Sequence, residues 1–376
     1  MTNRDKRFLL ECVRRLPEKD FGERIAPILE QRGEIRWPDM PYEWIKAFLP
    51  VYLRLRELSL AFPFSRETRH QLDAALLWNH QRNTRILEIA AELARRFHET
   101  GETLLFLKGT SLLLTVYDQE IGIRPMADID ILVVPEDLGT AETRLEEAGC
   151  RRDGSKKPSH HDTYLKNDVP IELHWRCGFQ MPAELSSHLL KTSRTVQRNG
   201  VSFQVPGPEA SLLLACANFE ADWSHCCDLL WFGDEAWQED LLCRILFFFH
   251  ELRWILMRSE GAFSWAIFHD LARASRKEGE IGILLMLADK IVRAPIPKEE
   301  MEYLRRNPMS APFAKRCDKI AWDDMARLFL AREWVRARRR EGPFSAAYLL
   351  MKSRLRINHP KTYSGLKRIL PTWVPR

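Results

Sequence analysis

The spacing of apolar residues changes twice along the chain. Over residues 1–100 they recur at three- and four-residue intervals, as in Phe8, Leu9, Cys12, Val13 and Leu16 and again in Ile86, Ile89, Ala90, Leu93 and Phe97. That is the period of amphipathic helices. Pro38, Pro41, Pro50 and Pro63 punctuate them, and Gly101 is placed to stop a helix over Asn83–Phe97. From 103 to 177 the pattern shortens. Leu104–Leu107 reads as a strand, Thr110–Tyr117 as a helix opened by the Gly109 turn, and Ile129–Val134 as a strand closed by Pro135. Asp137 is placed to cap a helix running to about Ala148, which Gly149 ends. Strands around Thr163–Lys166 and Pro170–Trp175 flank Asn167-Asp168, a hairpin turn. Beyond 178 helical spacing returns, broken at Pro206-Gly207-Pro208 and at Ala294-Pro295-Ile296-Pro297. The expectation is a mostly helical α+β fold. A small mixed β-sheet core over 101–178 is flanked by an N-terminal helical region, 1–100, and a C-terminal helical region with a basic tail, 179–376.

Composition narrows the class without naming a chemistry. A chain of 376 residues, 45% hydrophobic and 29% charged, suits two or three globular domains. The N-terminus, MTNRDKRFLLECVRRLPEKD, lacks the unbroken apolar stretch of a signal peptide, and the later apolar runs are interrupted by Arg, His, Glu or Asp. A cytoplasmic protein with no membrane contact is expected. Eight cysteines without a CxxC pair fit reduced, buried thiols. The neighbours His225, Cys226 and Cys227 invite a zinc reading, but vicinal cysteines on a helix point apart. Charge is uneven: residues 331–376 carry twelve Lys/Arg and two Glu, a net +10 against +5 for the whole chain. That tail could bind nucleic acid or form a solvated helix face beside Trp334, Phe344 and Tyr348.

The candidate chemistry lies between Lys108 and Trp175. Side chains alternate along a strand, so Asp128 and Asp130 project to one face and Ile129 and Ile131 to the other. Glu172 and His174 obey the same rule on a later strand. Buried carboxylates at that spacing repel unless cations neutralise them, and two Mg2+ ions about 3.5–4 Å apart would do so. The competing reading has Asp128 as a strand-end cap, Asp130 exposed and Glu172 on the wet face of a hairpin. Upstream, Gly109 permits close backbone approach, and the N–H groups of the following helix, with the Thr110 and Ser111 hydroxyls and the Lys108 charge, could hold the phosphates of a triphosphate. An ordinary strand-to-helix turn is the alternative. Arg124 could touch phosphate or brace the carboxylates, and His174 could support the metal site or be a core histidine. Lys156, Lys157, His160 and His161 lie in a loop where phosphate contact competes with plain solvation. Asp228 reads as a structural hydrogen-bonding group.

Taken together, Leu107-Lys108-Gly109, then Arg124-Pro125-Met126-Ala127-Asp128-Ile129-Asp130-Ile131-Leu132-Val133, then Ile171-Glu172-Leu173-His174-Trp175 resemble the polymerase-β-type nucleotidyltransferase superfamily. More narrowly they resemble bacterial nucleotidyltransferases that pair KG, RxMxDxD and an acidic-x-His-Trp strand. The resemblance implies that 101–178 is a nucleotidyltransferase core. It also implies transfer of a nucleoside monophosphate from an NTP, ATP included, to an acceptor with release of pyrophosphate. It makes Asp128, Asp130 and Glu172 the metal ligands and catalytic acids, with Mg2+ as cofactor and Mn2+ as the alternative. Glu172 also helps to deprotonate the acceptor, and Gly109 and Thr110 form the triphosphate turn. Lys108, Ser111, Arg124 and His174 complete the expected nucleotide-binding set. The acceptor is a small molecule, peptide or protein in the first reading. An RNA- or tRNA-directed transferase using the tail over 331–376 is the second, and a non-catalytic nucleotide-binding or regulatory protein the third.

Overall fold

The computed structural model describes residues 8, 11–14, 20–30, 37, 40–60, 64–154, 160–178, 181–219, 235–308, 310–311 and 314. The basic tail over 331–376, Lys156, Lys157, His225, Cys226, Cys227 and Asp228 lie outside the described residues. The fold is α+β and mostly helical, with one seven-stranded mixed sheet.

Helices α1 (Phe21–Glu30), α2 (Tyr42–Glu57) and α3 (Arg66–Glu99) precede the sheet. The longest, α3, starts well before the Asn83 expected from spacing. Ser65 accepts the Thr68 N–H at 3.2 Å, which nucleates the first turn upstream of the strongly periodic segment. Its apolar stripe of Leu72, Ile86, Ala90, Leu93 and Phe97 is buried, and Gly101 at φ +78° ends it.

The sheet uses β1 (Leu105–Phe106), β2 (Ile129–Leu132), β3 (Arg151–Arg152), β4 (His161–Lys166), β5 (Val169–His174), β6 (Arg194–Arg198) and β7 (Val201–Val205), in the order β3-β4-β5-β2-β1-β7-β6. Helix α4 (Lys108–Thr115) leaves β1 directly, and α5 (Leu138–Glu147) connects β2 to β3. The Asp137 side chain makes no capping bond to α5, because a 3-10 turn over Pro135–Asp137 leads into the helix instead. Asn167 and Asp168, at φ +51° and +62°, form the expected tight turn between β4 and β5.

The β6–β7 hairpin departs from the helical spacing expected beyond 178. Its signal is present: Val201, Phe203 and Val205 alternate with Ser202 and Gln204 behind Asn199-Gly200, a dipeptide suited to a two-residue hairpin turn. Both turn residues are left-handed, at φ +50° and +75°. Val201, Phe203 and Val205 are buried, and β7 lies parallel to β1, so this hairpin completes the sheet on the side away from β5.

Helix α6 (Ala183–Lys191) lies between β5 and β6, and α7 (208–219), α8 (Glu235–Arg258), α9 (Trp265–Ala274), α10 (Glu278–Val292) and α11 (Lys298–Arg306) follow the sheet. Chain contacts divide into two compact units: Met1–Ile281 with Ala288–Ile296, which holds the sheet, and Gly282–Leu287 with Pro297–Arg376. In the second, Leu304 is buried and its carbonyl accepts the Ser310 hydroxyl. Among the described residues no helix is long and apolar enough to cross a membrane. Cys12, Cys150, Cys177, Cys216 and Cys243 are buried, and burial pushes the Cys150 and Cys177 thiols up to about 11.

A Cβ at Gly200 would meet nothing within 4 Å, so a substitution there tests backbone conformation alone. Gly200→Val is expected to lower stability by about 1–2 kcal/mol, read as a shift in the urea midpoint with unchanged slope. A wild-type midpoint in that variant would mean the turn is not left-handed.

Candidate functional site

Strand register builds the site. The parallel pair β2–β5 sets Ile129 opposite Ile171, Asp130 opposite Glu172, Ile131 opposite Leu173 and Leu132 opposite His174. Alternation then puts the four isoleucine and leucine side chains at 129, 131, 171 and 173 on one face, each 0% exposed, and leaves Asp130 and Glu172 side by side on the other. The antiparallel β4 adds His161 opposite His174 and Thr163 opposite Glu172. Three neighbouring strands therefore contribute acids and imidazoles to one face.

Lys108 enters from the third direction. The Leu107 N–H donates to the Asp130 carbonyl at 2.9 Å, which holds the start of α4 against β2. Lys108 then takes φ +44°, an uncommon conformation for a residue with a side chain, and its Nζ donates to Asp130 Oδ1 at 2.6 Å and lies 4.0 Å from Glu172 Oε2. His174 Nε2 sits 2.9 Å from the same Asp130 oxygen and 3.4 Å from Glu172 Oε2. His161 Nε2 lies 3.6 Å from the other Glu172 oxygen, Oε1.

The carboxylates are electrostatically unequal. Burial alone would raise Asp130, but the Lys108 ammonium and the His174 hydrogen bond outweigh it and hold the carboxyl well below its ordinary range. Glu172 is also lowered, first by its hydrogen bond to His174. At Asp128 the Lys108 and Arg124 charges are the smaller effects. Burial, then the charges of Asp130 and Glu172, push it up to about 6. Burial lowers His160 to about 4 and lowers His161 as well, so both imidazoles are neutral at pH 7.

The segment that carries Asp128 into β2 is clamped by one face of α3. Asn83 Nδ2 donates to the carbonyls of Ile121 and Arg124, Asn79 Nδ2 to that of Gly122, and Arg82 to those of Met126 and Ala127. Sequence reasoning missed these three residues. Their signal was two asparagines and an arginine at i, i+3 and i+4 on a helix, with Asn79 and Asn83 only 3% and 0% exposed. Arg124 braces rather than facing open solvent: its Nε donates to Glu251 Oε2 at 2.7 Å, and Glu251 comes from α8. Gly109 is needed for close approach, because a Cβ there would stand 2.3 Å from Met126 Sδ and 2.6 Å from Arg124 Nη1. What approaches Gly109 is thus the Arg124–Met126 segment.

This geometry belongs with a sequence match. Residues 44–238, more than half the chain, match the family described as uncharacterised nucleotidyltransferase. The chain belongs to that nucleotidyltransferase family. No curated protein and no solved structure matches it. The protein is accordingly a transferase enzyme.

A nucleotidyltransferase invites a divalent cation, and the donor set fits one in part as expected. Donor atoms of Asp130, Glu172 and His174 lie within 4.8 Å of one another. His174 joins the two carboxylates in that group. Asp128 precedes the β2–β5 ladder and is not held by its register. Lys108, expected at phosphate, is paired with Asp130. The Ser111 hydroxyl donates to the Lys108 carbonyl at 2.9 Å, whereas the fully buried Thr110 hydroxyl has no partner among the described residues.

Asp128 gives a pH signature. Its raised folded value means that ionising it costs stability. The cost is absent below the unfolded value of 3.8, grows as pH rises, and is complete above about 6. In EDTA, Asp128→Asn is expected to stabilise the protein at pH 7.5 by up to about 2 kcal/mol, allowing for partial solvent access, with little gain near pH 4. Equal urea midpoint shifts at the two pH values would contradict the raised carboxyl.

Proposed function

We propose that the enzyme transfers a nucleoside monophosphate from an NTP to an acceptor hydroxyl through a polymerase-β-type site, releasing pyrophosphate. The observation that carries this reading is the in-register pair of acids, Asp130 and Glu172, on adjacent parallel strands beside Lys108, in a chain of a nucleotidyltransferase family. Asp130 and Glu172 would hold Mg2+ or Mn2+, with Asp128 joining when its proton is displaced and His174 fixing both acids through Nε2. When bound, the cation neutralises triphosphate charge and acidifies the acceptor hydroxyl.

The chain's own residues supply the rest. Lys108 offsets the negative charge of the acids and is near enough to follow charge between Asp130 and an incoming phosphate. The first N–H groups of α4 lack intrahelical acceptors and, with the Thr110 hydroxyl, suit phosphate oxygens. Glu172, 17% exposed in its side chain against 4% for Asp130, is the ionised carboxylate within reach of an acceptor from solvent. The acceptor oxygen forms a bond to the α-phosphorus. The bond from that phosphorus to the bridging oxygen breaks, pyrophosphate leaves with the electron pair, and the hydroxyl proton passes to Glu172. Arg124, held by Glu251, and the Asn79–Arg82–Asn83 clamp keep the Asp128 segment in position for this chemistry.

Calorimetric titration of ATP, GTP, CTP and UTP analogues, with and without Mg2+, tests the reading. Wild type is expected to bind at least one triphosphate only when Mg2+ is present, and the Asp128→Ala/Asp130→Ala double variant is expected to lose that heat. Folded wild type that binds no triphosphate in Mg2+ or Mn2+ would refute a preformed NTP site.

A further inference from the structure

Next to the carboxylates lies a second donor set of different chemistry. Ligand nitrogens of His160, His161 and His174 fall within 4.8 Å of one another. His161 Nδ1 and His160 Nε2 are 3.3 Å apart, close to the separation of about 3.4 Å that two nitrogens take when a tetrahedral ion lies about 2.1 Å from each. The three rings gather with centroids 4.6, 4.9 and 5.5 Å apart. His174 contributes a further sign. Its Nε2 is engaged by Asp130 and Glu172, yet Nδ1, on a ring 1% exposed, has no hydrogen-bond partner among the described residues. A buried ring nitrogen without a partner is costly unless a hydrogen bond or a metal ion satisfies it.

We propose that His160, His161 and His174 form a binding site for a transition-metal dication, distinct from the carboxylate site and joined to it by Glu172. Three imidazoles select zinc, cobalt, nickel or copper rather than Mg2+, which demands oxygen ligands and retains its waters. Glu172 turns Oε2 toward Lys108 and His174 and Oε1 toward His161, so one oxygen serves each side. The register of β4 against β5, with His161 opposite His174, fixes the pair on one face without a loop having to close. His160 and His161 lie outside the KG, RxMxDxD and acidic-x-His-Trp segments, and His174 lies within the last of them. The inference goes beyond nucleotidyl transfer and does not require it.

Cobalt tests it directly. Metal-stripped wild type, His160→Gln/His161→Gln, His161→Gln alone and Asp130→Asn are titrated with Co2+ while visible absorption and far-UV circular dichroism are followed. Wild type is expected to bind Co2+ with the strong visible bands of a four- or five-coordinate ion. Both histidine variants are expected to weaken that binding by at least about tenfold with folding intact, while Asp130→Asn retains the bands. Folded double variant with wild-type Co2+ affinity and bands would overturn the site, as would loss of the bands in folded Asp130→Asn, which would put the ion on the carboxylates. The single variant decides the matter if the double variant unfolds. Mg2+-dependent triphosphate binding is measured on the same wild-type preparation. Its absence beside a histidine-dependent Co2+ signal would remove the transfer reading and leave the metal site standing.

Discussion

Two carboxylates opposite one another on neighbouring parallel strands form the constraint around which the rest is organised. Asp130 and Glu172 share a face because β2 and β5 pair in that register, and their charges repel wherever burial thins the solvent. Lys108 answers that repulsion with a 2.6 Å ion pair to Asp130, a side chain 4% exposed. The lysine reaches it by taking a left-handed backbone at the first residue of α4, which costs about 1–2 kcal/mol. Strain at that position is understandable when the alternative is an uncompensated buried charge, whose cost is larger.

The same economy explains the polar face of α3. A segment that runs from a 3-10 turn at Ile121–Ile123 into β2 has carbonyls that no sheet partner satisfies, and it must still deliver Asp128 and Asp130 at fixed positions. Asn79, Arg82 and Asn83 take those carbonyls as acceptors, so the helix acts as a template for the segment. Each such bond contributes about 1 kcal/mol net, but a buried carbonyl left without a donor costs more, so the clamp contributes chiefly positional accuracy. Arg124 extends the frame to α8 through Glu251, and Gly109 lets Met126 and Arg124 press against the start of α4.

The acids consequently divide their roles. Asp130 is held ionised by Lys108 and His174, whereas burial and the two neighbouring acids push Asp128 up to about 6. One acid that retains a proton and one that is paired with a lysine leave the site less negative than three free carboxylates would make it. On the other face, Ile129, Ile131, Ile171 and Leu173 are 0% exposed, so the acids are backed by close-packed side chains that resist displacement.

Much of this was legible in the sequence because it depends on short-range periodicity. The two-residue repeat assigns Asp128 and Asp130 to one side and Ile129 and Ile131 to the other, the tight turns announce themselves as Asn167-Asp168 and Asn199-Gly200, and the glycine after Lys108 marks a close approach. The β6–β7 hairpin could be read in the same way, although the surrounding helical spacing obscured it. Strand adjacency could not be read so. That β5 lies beside β2 and not beside β1 brings Glu172 to Asp130, and that β4 pairs with β5 brings His161 to His174. Arg124 finds Glu251 across 127 residues of sequence, and Lys108 turns to a carboxylate instead of to open solvent. Local pattern fixes which face a side chain uses, because that follows from backbone geometry one residue at a time. Which distant charges meet follows from how the whole chain packs to bury its apolar faces while pairing its charged ones, and only the tertiary structure decides that.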